Sequence, residues 1–218
     1  MTINNSVNFE KKLDRGVELG NRLFRFALDI SGSFKKNNQD ESGISRSAIM
    51  KGFLICSAQL SFQIIAAVKN RSLYLAIVGL RTLLQFDIDA CYIFDHPDHK
   101  KDFDWIDGLC IDIFDRTNSL KAKKNVLKEV GLARRARDVG RKDLYDNNYA
   151  GLSDYAHLVT RPPFLNRNEI CEEIAPKIIS HALCHLTDII DSIISFNDLK
   201  WDEVLHQEII SFRNLCEP

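Results

Sequence analysis

Arg81, Gln85 and Asp89 recur every four residues along an otherwise apolar stretch, LYLAIVGLRTLLQFDIDACYIF (Leu73 to Phe94). At 100° per residue, Arg81, Gln85 and Tyr92 fall close together on a helix, with Asp89 at the edge. A helix apolar almost all round is a buried one. A guanidinium there must be paired or hydrogen-bonded, or it costs on the order of several kcal/mol. Arg81 therefore needs partners from other elements. It serves either as a polar tie fixing the register of a bundle or as an anion contact lining a pocket between helices.

Tyr149, Ser153 and His157 crowd into YAGLSDYAH. They offer donors, acceptors and a side chain that titrates near neutrality. His157 is placed to move a proton if a substrate lies beside it. A Ser153 cap and a packed His157 ring would use the same residues. Further on, HALCHLTD carries His181, His185 and Asp188. Ile170, Ile174, Ile178, Ile189 and Ile193 mark an apolar stripe that contains both histidines. A His pair at i,i+4 can hold a metal, but it needs a third ligand and lacks the glutamate of HExxH. The expectation is two core histidines and no metal or other cofactor.

The elements that must position these residues read as seven helical segments. They run about 7–34, 45–70, 73–95, 101–117, 120–130, 169–196 and 201–215. Ser72, after Asn70 and Arg71, is a candidate N-cap of the third. His96-Pro97 ends that segment, because proline disfavours helix in the residue before it. The expected fold is all-α: one helical-bundle domain over 1–218 with a central antiparallel hairpin of the second and third segments. Its core lies at about 45–196, and 1–34 and 201–215 pack on it as outer helices. The 45% hydrophobic and 27% charged residues suit a globular chain.

Net charge of −1 excludes a polyelectrolyte, yet the charge is segregated. Lys121 to Lys142 holds nine Lys or Arg against two acids, and Asp95 to Asp115 holds seven Asp. The basic run, with Arg134, Arg135 and Arg137, is either a solvated face or a contact for a phosphate backbone. Six cysteines form no CxxC pair and are expected reduced. The opening MTINNSVNFEKKLDRG has no apolar run, so a cytoplasmic protein is expected. Two stretches, Ala48 to Val68 and Leu73 to Phe94, are apolar enough to raise a membrane question. Each mid-bilayer charge costs roughly 2.5–3.5 kcal/mol. Arg81, Asp87 and Asp89 therefore argue for burial in protein and against a membrane.

The run from Lys51 to Pro97 resembles an uncharacterised bacterial family of all-helical proteins. That family has a hydrophobic helical hairpin, an Arg-x-x-x-Glu motif and then a Tyr-x-x-x-Ser-x-x-x-His motif. Tyr149, Ser153 and His157 match the second motif. Arg81 matches the first, but Gln85 stands where the glutamate is expected. The family is similar in architecture to HEPN domains and abortive-infection proteins. The resemblance implies a cytoplasmic effector of antiviral defence or of a toxin system, acting as a metal-independent ribonuclease. Arg81, Tyr149, Ser153 and His157 would be catalytic; Gln85, Asp89, Arg134, Arg135 and Arg137 would contact substrate or phosphate. RNA, a cognate defence-system protein and a second copy of the chain are the partners it implies. The Arg-x(4–6)-His motif of many HEPN ribonucleases is absent, since no Arg precedes a His at that spacing. A non-catalytic module for a small anionic ligand or a protein partner is the alternative reading.

Overall fold

In a computed structural model the described residues are 2–34, 46–95, 131–149, 152, 168–197 and 199–216. Seven α-helices account for most of them, and no strand occurs among them. We number the helices α1 (Thr2–Ser33), α2 (Arg46–Lys69), α3 (Leu73–Ala90), α4 (Leu132–Asp138), α5 (Lys142–Leu144), α6 (Asn168–Asn197) and α7 (Glu203–Cys216). Wider, π-type turns extend α3 through Cys91–Asp95 and α5 through Tyr145–Tyr149. The helices expected at 101–117 and 120–130 lie outside the described residues.

Helical spacing of apolar residues explains each long element. Leu19, Leu23, Ala27 and Ile30 on α1 are buried, as are Leu205, Ile209, Phe212 and Cys216 on α7. Ile179, Leu183, Leu186, Ile190 and Ile193 give α6 a broad buried face. That helix packs against α1, α2, α3 and α7. The expectation put the second and third segments at the centre; here α6 is the element around which the other long helices gather. Close approach is possible because α1 has glycines at its contacts. A Cβ at Gly16 would sit 2.7 Å from Ile179 Cγ2, and one at Gly20 would collide with Ile65.

Helix ends follow local chemistry. The Ser72 amide reaches back to Ala67 O and the Arg71 amide to Val68 O, while Arg71 is left-handed at φ 57°. This pair of bonds is a Schellman ending, usually built on glycine. Ser72 does occupy the N-cap of α3, but its hydroxyl makes no capping bond. On α7 the Asp202 carboxylate accepts the Leu205 amide at 3.0 Å, so the helix begins at Glu203.

Two helices, Met50–Lys69 and Glu172–Ser195, are long and apolar enough to cross a membrane by length and composition. Most of the second is buried within the protein, and less than half of the first. The stretch from Leu73 to Phe94, read from its charges as a poor membrane span, is not one of the two, and part of α6 is. Arg81, Asp87 and Asp89 are the charges that set α3 apart.

Candidate functional site

Helix α3 points acidic groups in two directions. Asp87 and Asp89 stand 200° apart on the helix wheel. Asp89 faces α4, where Arg135 Nε donates to its Oδ1 at 2.8 Å. Asp87 faces α6, where His185 Nδ1 lies 2.9 Å from its Oδ2. Both carboxylates are buried.

Helix α4 needs the first contact. Seven residues are too few for a helix to hold itself in water. Its buried apolar contribution is Ala136, packed with Leu84 and Ile88 of α3. Arg135 is therefore its anchor, and both members of the Arg135–Asp89 pair are at most 5% exposed. Burial pushes the Asp89 carboxyl up to about 6, against the opposing pull of Arg135 and of the Gln85 side chain. This contact also explains Gln85. It hydrogen-bonds Asp89 one turn away, where a second carboxylate would add like charge to a buried site. The placement corrects the reading of Arg135 and Asp89 as phosphate or substrate contacts, because neither is open to solvent. Arg134 and Arg137 on the same helix are exposed.

Around Asp87 the groups form a tighter knot. Arg141 Nη1 donates to Asp188 Oδ2 at 3.0 Å, and Nη2 is 3.8 Å from Asp87 Oδ1. Burial works against the charged guanidinium, but Asp87, Asp188 and Cys91 outweigh it and raise its pKa. Asp188 is pushed up to about 6 by burial and by Asp87, with Arg141 and His185 opposing. Asp87, His185 and Asp188 bring potential ligand atoms within 4.8 Å of one another. Arg141 already supplies the positive charge that a metal ion would bring there. Its fork geometry suits two carboxylates.

Beside this knot is a cavity of about 220 Å³ lined by Leu80, Leu84, Asn147, Asn148, Leu152, His181 and His185. The His181 and His185 rings stack with centroids 6.0 Å apart. His185 is 4% exposed, and its Nε2 has no hydrogen-bond partner among the described residues. A buried polar atom left so costs about 1–3 kcal/mol.

Arg81 and Tyr149 meet. Arg81 Nη2 donates to Tyr149 Oη at 2.9 Å, and the guanidinium carbon is 5.0 Å from the ring centroid. Tyr145 stacks on the same ring. The chain neighbours Leu80 and Asn148 line the cavity. The structure thus brings Arg81, Tyr149, His181 and His185 into one region of the fold, a convergence that the sequence left open. Ser153 and His157 lie outside the described residues.

Two residues of the knot were missed. Asp87 entered the sequence argument only as a charge unfit for a membrane. The rule applied to Arg81, that a charge on a buried helix needs a partner, would have singled it out as well. Arg141 was merged into the basic run, where nothing marks one cation as turned inward.

No protein family, curated protein or solved structure matches this chain.

Proposed function

We propose that this protein is a HEPN-like helical effector of bacterial antiviral defence that acts on RNA in the cytoplasm without a metal. The observation that supports this reading is the contact of Arg81 with Tyr149, which joins residues of two motifs 68 positions apart. Arg81 would hold a phosphate there. His157 would carry the proton, with Ser153 orienting it. Arg134 and Arg137, exposed on α4, suit a phosphate backbone, while Arg135 fastens their helix to α3. A second reading is a non-catalytic module for a small anionic ligand or a protein partner, in which Arg81, held against Tyr149, would be the anion contact.

The test is end-labelled RNA incubated with the purified full chain in EDTA. Cleavage is expected, reduced about 10²-fold or more in His157→Ala. Binding should weaken with salt, and Arg134→Glu with Arg137→Glu should weaken it first. Absence of both cleavage and salt-sensitive binding, with and without infected-cell extract, would remove the RNA reading.

A further inference from the structure

We infer that the cavity between α3, α6 and the Tyr145–Tyr149 turn is a binding site for a small, uncharged molecule that donates one hydrogen bond to His185 Nε2. The inference goes beyond RNA cleavage and holds whether or not the protein is a ribonuclease.

Three observations carry it. First, the tautomer is set. A carboxylate only accepts, so His185 Nδ1–H donates to Asp87 Oδ2 at 2.9 Å. In the neutral ring Nε2 is then a lone pair seeking a donor. Second, that lone pair is buried and unpartnered among the described residues, on a ring that forms part of the cavity wall. A hydroxyl or N–H from an occupant would complete it. Third, the remaining wall selects the body of the occupant. Leu80, Leu84 and Leu152 are apolar, while Asn147 and Asn148 add amides and His181 a second imidazole.

Size and charge narrow the class. About 220 Å³ falls below the roughly 300–1,000 Å³ of drug-sized sites, which limits the occupant to a single ring or a short branched chain. Anions are disfavoured because the lining holds no Lys or Arg among the described residues, and Asp87 and Asp188 stand behind the histidine with Arg141 already engaged by both. A cation would meet an apolar wall and no carboxylate on the cavity lining. A ring alcohol, phenol or ring N–H fits both limits.

Phenol and toluene test this, because they differ chiefly in the donor. The full chain, with labelled leucine methyls and histidine nitrogens, is titrated with each and observed by NMR. Phenol should shift the Leu80 and Leu84 methyl signals saturably and move the His185 Nε2 resonance. Toluene should bind about ten-fold more weakly, one hydrogen bond's worth. In His185→Leu phenol should fall to the affinity of toluene. If that variant does not fold, the phenol–toluene ratio in the unaltered chain decides alone. Equal affinities, no saturable shift with either, or displacement of phenol by inorganic phosphate would overturn the inference.

Discussion

Two charged seams tie distant parts of this chain together, and they differ in how much water reaches them. Between α1 and α7, Arg15 and Arg22 converge on Glu208, with Glu18 beside them. These side chains are roughly a third to a half exposed. Between α3, α4 and α6, Arg135 and Arg141 meet Asp89, Asp87 and Asp188. Both seams pair arginines with carboxylates, and the consequences are opposite. Hydrogen bonds from Arg15 and Arg22 hold the Glu208 carboxyl below its ordinary value. Asp89, with an arginine at 2.8 Å, is nonetheless pushed up to about 6 because burial outweighs its partner. Proximity of opposite charges does not set the sign; access of water does.

The strongest way to break this comparison is to remove one partner from each seam. Arg135→Met should destabilise the protein by about 3–5 kcal/mol, because Asp89 is left buried without its counter-charge. Adding Asp89→Asn should recover much of that loss. Urea unfolding of the two variants checks both statements, and a small effect of Arg135→Met would place the two seams in one class.

Next in size is a pH effect that sharpens the difference. Asp89 in the fold keeps its proton up to about pH 6, whereas the unfolded chain releases it near 3.8. Between these values the folded state binds more protons, so this group's contribution favours folding at the acid end and is lost as pH rises through 6. Asp188 adds in the same direction. Urea midpoints measured from pH 4 to 7 should fall less steeply with rising pH in Asp89→Asn than in the unaltered protein.

Tyr149→Phe removes the hydrogen bond from Arg81 and leaves the ring. A loss of about 1 kcal/mol is expected, readable as a lower melting temperature. Under the RNA reading, cleavage falls further than stability does. The smallest effect belongs to the outer seam. Glu208→Gln should barely move the melting temperature, and the remaining difference should vanish at about 1 M salt.

How much of this was legible in the sequence follows the same division. Apolar spacing at 3–4 residues located α1, α2, α3, α6 and α7 to within a few residues at most ends, because burial of one stripe repeats along a helix. α1 begins about five residues earlier than its spacing suggested, at Thr2. The polar positions Arg81 and His185 stood out against apolar neighbours for the same reason, whereas Tyr149 was marked by its spacing to Ser153 and His157. Arg135 did not. In ARRARD, charge follows charge, and only the contact with Asp89 shows which arginine turns inward. Which helix lies at the middle was likewise hidden, since α2, α3 and α6 are all strongly apolar. Their ranking depends on distances between helices, which glycines such as Gly16 and Gly20 set from the partner helix.

Helix α4 is fastened by a guanidinium and a few apolar contacts, while α6 is held by side chains along its whole length. The free energy needed to detach α4 is therefore smaller than the free energy of global unfolding. The segment that displays Arg134 and Arg137 can leave its seat while the main bundle stays folded. The two exposed arginines thus ride on a segment whose hold on the bundle is local, through Arg135 and Ala136.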